Sequence, residues 1–82
     1  MEKSRYSSLQ EKLQQILREM RLESGLRQTD LAGLLGQPQS FVSKYESGER
    51  LLDFLELRQV CAAMGFTMSE FINRFERGSD EA

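Results

Sequence analysis

Twenty residues, Gln28 to Ser47, constrain this chain more than any other stretch: they read QTDLAGLLGQPQSFVSKYES, two short helical blocks separated at Gly36. Leu31, Leu35, Val42 and Tyr45 are spaced to bury one face of such a pair. Ala32 supplies the small residue that lets the neighbouring helix approach. On the far side of the second block lie Gln39, Ser40, Ser43 and Lys44, all polar. Two packed helices with a donor-rich outer face suit insertion into a DNA major groove.

The pair is not free-standing, and the flanking sequence supplies what covers it. Before it, Leu9, Leu13, Ile16, Leu17 and Met20 recur at three- and four-residue steps, which predicts one apolar helical stripe. Ser8 and Glu11 have the spacing of a capping box, so this first helix is expected to begin at Ser8. Gly25 stops it, with Leu26 folding back as an apolar plug. The second helix is expected over 28–35, preceded by Arg27, which carries no short acceptor to cap it. The third is expected to start near Pro38, whose fixed φ suits a first helical turn, and to run to Glu46 before Ser47-Gly48 breaks it.

Downstream, Asp53 with Glu56 and Thr67 with Glu70 repeat the capping-box spacing and open a fourth and a fifth helix. Their expected buried stripes are Phe54, Leu57, Val60, Cys61 and Met64, ended by Gly65, and then Met68, Phe71, Ile72 and Phe75. No alternating strand pattern, repeat or linker interrupts the series. The expectation is one all-α domain of five helices over 8–76, with flexible termini at 1–7 and 77–82.

Composition narrows the function classes. With 82 residues there is room for a single small core. The chain has no histidine and no Gly-rich phosphate loop, and no acids stand in a catalytic or metal-binding pattern. We therefore expect no enzyme, no metal and no cofactor. The lone Cys61 forms no intrachain disulfide and falls in a helical stripe, as a small core residue would. No apolar run approaches the ~20 residues of a membrane span, so a soluble, cytoplasmic protein is expected. The net charge of −2 is unevenly distributed, with the excess of acid lying after residue 50. Phosphate binding needs only a local cationic face.

From Leu17 to Phe75 the chain resembles the Cro/lambda-repressor-type (XRE) helix-turn-helix domains. The resemblance rests on LREMRLESGLRQTDLAGLLG, QSFVSKYESGER and DFLELRQVCAAMGFTMSEFI, a long pattern and more specific than any single short motif. It implies a compact five-helix, lambda-repressor-like, DNA-binding fold. It also implies a phosphate contact from Gln28, base contacts from Gln39, Ser40 and Lys44 with Ser43 close by, and a backbone phosphate contact from Arg50. Arg21 and Glu46 match a family ion pair joining helix one to the end of helix three. Arg27 stands where the family has a Ser/Thr cap, and Gln37-Pro38 replaces an apolar residue followed by a cap.

The function that follows is sequence-specific binding of double-stranded DNA by a transcriptional regulator, a repressor acting as a homodimer, with 38–46 as recognition helix. Phe71 and Phe75 of helix five are the expected dimer surface, and an extended helix one with Tyr6 and Leu9 the alternative. The competing class is a protein-interaction module, such as an antitoxin-like subunit whose DNA binding depends on a protein partner. Phe41 is open between a contact to DNA and packing along helix two.

Overall fold

Residues 5–80 are described by a computed structural model, with side chains assigned over 8–77. Among them the chain forms five helices and no strand: α1 (Arg5–Glu23), α2 (Gln28–Leu35), α3 (Gln39–Ser47), α4 (Phe54–Ala63) and α5 (Met68–Asp80). The first four helices stop where glycines stand. At the α1 end Gly25 takes φ 74°, the Leu26 N–H donates to the Arg21 carbonyl, and the Leu26 side chain turns onto the core. Gly65 and Phe66 repeat the device after α4, with the Phe66 N–H donating to the Cys61 carbonyl at 2.9 Å.

The two outer helices extend further than the capping signals predict. α1 begins at Arg5, which leaves Ser8 inside the helix rather than at its cap, and α5 continues to Asp80 through the segment expected as tail. The expected caps of α4 and α5 are formed. Asp53 Oδ1 accepts from the Glu56 N–H while Glu56 Oε1 accepts from the Asp53 N–H, and Thr67 and Glu70 do the same. Arg27 cannot accept, yet half of that box survives at α2, because Asp30 Oδ2 accepts from the Arg27 N–H at 2.9 Å. Pro38 is the residue before α3 rather than its first turn, so the helix begins one residue later than the proline suggested.

The core lies where the stripes converge. Leu17, Met20, Leu31, Val42, Val60 and Cys61 are fully enclosed, and Ile16, Ala32, Tyr45, Met64 and Phe71 complete it. Two expectations about these stripes are corrected. Phe54, the first residue of α4, is 64% exposed, and the packing of this stripe against the core begins a turn later at Leu57. Ile72 is 47% exposed, since Phe71 and Phe75 take the inward positions of α5. The aromatic area of α5 expected outside as a dimer surface is thus largely inside: Phe71 is buried, and its ring stacks on half-buried Phe75 with centroids 6.3 Å apart. Tyr6 lies outside the residues with described side chains.

Candidate nucleic-acid interface

The turn between α2 and α3 is built by Gly36 in the left-handed region (φ 67°), with the Gln37 N–H donating back to the Ala32 carbonyl at 2.9 Å. Leu31 and Ala32 of α2 then meet Val42 and Tyr45 of α3 in the core, as their spacing predicts. This leaves the opposite face of α3 outward. Gln39, Ser40 and Lys44 are exposed on it, and Ser43 is half-buried. Lys44 makes no ion pair among the described residues and carries the open positive charge of this face.

Beneath the exposed face runs a connected set of side chains from three helices. Arg21 and Glu46 meet in a bidentate pair, Nε to Oε2 at 2.7 Å and Nη2 to Oε1 at 3.0 Å, with side chains only 8% and 5% exposed. The third Arg21 nitrogen, Nη1, donates to the Leu26 carbonyl at 2.9 Å, so the buried guanidinium has partners on two sides. The Glu46 carboxylate holds the guanidinium pKa above its ordinary value against the opposing effect of burial. Gln28 Nε2 donates to the same Glu46 Oε1 at 2.9 Å, and Gln39 Nε2 donates to Gln28 Oε1 at 2.6 Å. Gln28 and Gln39 start α2 and α3, so the line of contacts passes from the core of the fold to the leading edge of α3.

The other expected site residues are placed less simply. Arg50, in the loop after α3, pairs with Glu56 and lies over the Phe41 ring, 4.9 Å from its centroid. Phe41 is half-buried and set edge-on to Tyr45 at 5.6 Å, so its ring is packed within the protein on two sides. Arg27 is exposed and engages Asp30, whose carboxyl it pulls down to about 2. Cys61 is fully buried and burial pushes its thiol up to about 11, the behaviour of a packing residue rather than a nucleophile. The contacts from Gln28 to Glu46 and from Arg50 to Glu56 carry no sequence signature, since each depends on how two helices or a loop and a helix cross.

No helix among the described residues is long and apolar enough to cross a membrane, and no group of side chains there could hold a metal ion. A family model described as helix-turn-helix matches residues 17–71. Among solved structures, an XRE-family like protein from Pseudomonas syringae pv. tomato str. DC3000 is 36% identical, with 88% of each chain covered and a TM-score of 0.82. No curated protein matches the chain. With its α2–turn–α3 unit, its outward polar face and these matches, the chain belongs to the XRE family of helix-turn-helix proteins and is a DNA-binding transcription regulator in type.

Proposed function

We propose that this protein binds duplex DNA sequence-specifically as a homodimer, with α3 in the major groove, and that it represses transcription by occupying its site. The observation that supports this most is the placement of Gln39, exposed at the first turn of α3 and held by Gln28 at 2.6 Å. A glutamine fixed in this way presents one donor and one acceptor to a base edge, the pattern that adenine matches in the major groove. Ser40 and Lys44 flank it, Lys44 donating to guanine acceptors and Ser40 to base or phosphate. Gln28, at the start of α2, serves a phosphate in this reading through the second hydrogen of its Nε2, together with the first N–H groups of the helix. Arg50 serves the backbone by exchanging Glu56 for a phosphate, an exchange that costs part of the contact's value.

One α3 reads only a few base pairs, and two copies would read half-sites roughly 34 Å apart. The enclosure of Phe71 and the half-burial of Phe75 move the dimer surface in this reading away from α5. Leu51, Phe54 and Leu55 are 55%, 64% and 68% exposed and follow α3 directly. Selection from a randomised duplex pool tests the proposal: enrichment of a two-fold-related site is expected, and a pool that emerges without preference would overturn it. Phe54→Glu is expected to shift the light-scattering mass towards monomer while Ile72→Glu does not. The reverse result returns the interface to α5.

A further inference from the structure

We infer that Glu46 is a positioning residue for base selection: by accepting from Gln28 it fixes which end of the Gln39 amide faces DNA. The inference rests on the proposed role of α3 as the reading helix, and it adds a residue that touches no base. The argument begins with what a carboxylate can do. An ionised Glu accepts hydrogen bonds and donates none. Glu46 accepts from Arg21 through both oxygens, and its Oε1 also accepts from Gln28 at 2.9 Å. Gln28 must therefore turn its Nε2 towards Glu46, which leaves its Oε1 facing Gln39. Only the Nε2 of Gln39 can satisfy that oxygen, and it does so at 2.6 Å.

The polarity of the chain is thus dictated from its buried end. Two amide groups that are nearly symmetric in shape are each held in one of their two orientations. The outward edge of Gln39 then carries Oε1 as acceptor and the second N–H of Nε2 as donor. Adenine, with N7 as acceptor and its N6 amine as donor, complements that edge, whereas guanine places the O6 acceptor where the Gln39 acceptor would meet it. Arg21 enters by holding the Glu46 carboxylate in place with two bonds. Because the pair is buried, with side chains 8% and 5% exposed, water does not offer Gln28 an alternative partner there.

Arg21→Met/Glu46→Gln removes the fixed polarity at its source, because Arg21 donates to both Glu46 oxygens and, left in place, would hold the new amide oxygen on the Gln28 side. The new amide can turn its nitrogen towards Gln28, which reverses, and Gln39 follows so that its oxygen faces inward and its amine outward. In that orientation the outward donor opposes the adenine amine and suits guanine O6.

The test is binding to duplexes carrying each of the four bases at the half-site position whose preference disappears in Gln39→Ala. Wild type is expected to favour adenine over guanine roughly tenfold there, the discrimination typical of a bidentate base contact. In Arg21→Met/Glu46→Gln that ratio is expected to fall to about parity, because the new amide can turn either end to Gln28. Should that variant fail to fold, Arg21→Met/Glu46→Leu removes both buried charges together, and the ratio is expected near parity because nothing then orients Gln28. An unchanged adenine preference in either folded variant overturns the inference while leaving groove reading by α3 intact. A wild type without base preference at any position instead overturns the reading on which the inference stands. If Gln39→Ala alters no position, Gln39 is not a reader and the inference falls with it.

Discussion

Among the described residues two bidentate arginine–glutamate pairs bind helices together, and they share their chemistry but differ in their surroundings. Arg21–Glu46 joins α1 to α3 with side chains 8% and 5% exposed. Arg74–Glu23 joins α5 to the end of α1 with side chains 31% and 51% exposed, its nitrogens 2.8 and 2.5 Å from the carboxylate. In the first, further partners add to the pair: the Leu26 carbonyl accepts from Arg21, and the Gln28 amide donates to Glu46. In the second, both side chains are open to solvent, and the Arg74 guanidinium also lies 5.1 Å from the centroid of the Phe66 ring. Burial makes the inner pair expensive to break and precise in geometry. Exposure makes the outer pair weak, screened by salt and sensitive to acid.

The largest expected effect follows from breaking the inner pair. Glu46→Ala leaves the Arg21 guanidinium buried without its counter-charge and should cost about 3–5 kcal/mol in urea denaturation. Arg21→Met/Glu46→Leu should recover most of that loss, because two charges leave the interior together. If the double variant is as unstable as the single one, packing rather than uncompensated charge decides this region.

The outer pair should respond far less. Arg74→Ala is expected to lower the denaturation midpoint by a small fraction of the Glu46→Ala effect, and the difference from wild type should shrink at 1 M salt, where the screening length is ~3 Å. An equal loss at low and high salt would instead assign the role of Arg74 to its contact with Phe66. The smallest effect is the response to acid. The Arg74 guanidinium holds the Glu23 carboxyl below its ordinary value, and Arg27 pulls Asp30 down to about 2. For a carboxylate depressed by folding, the unfolded chain takes up protons first, so the stabilisation is complete above the unfolded pKa and falls as pH drops through the folded one. The stability of Asp30→Asn should therefore lie below that of wild type at pH 6 and converge with it between about pH 4 and pH 2. Glu23→Gln should converge over the same direction of pH change. A gap that widens on acidification would reverse the assigned sign.

The inner pair came from the family pattern, and the fold brings Arg21 and Glu46 to 2.7 Å. No pattern marked Arg74–Glu23, since the two residues are 51 positions apart and meet only because α5 returns along α1. The helices themselves were legible: Gly25, Gly36, Gly48 and Gly65 all take positive φ at the stops they mark. Cys61 is buried as its stripe implied. Phe54 and Ile72 share the periodicity of buried residues yet are exposed, because a stripe names the face that points inward but not the length over which a neighbour covers it.

The same limit divides the candidate site. The sequence alone determined that this chain makes a helix-turn-helix unit with Gln39, Ser40, Ser43 and Lys44 on one side and Leu31, Ala32, Val42 and Tyr45 on the other. Local spacing suffices for that, because helical period, glycine conformation and burial of apolar side chains act over a few residues. Only the tertiary structure decided that Gln28 lies between Glu46 and Gln39, and that Arg50 lies between Glu56 and Phe41. Those contacts depend on the angle and depth at which helices cross, and these follow from the packing of the whole core.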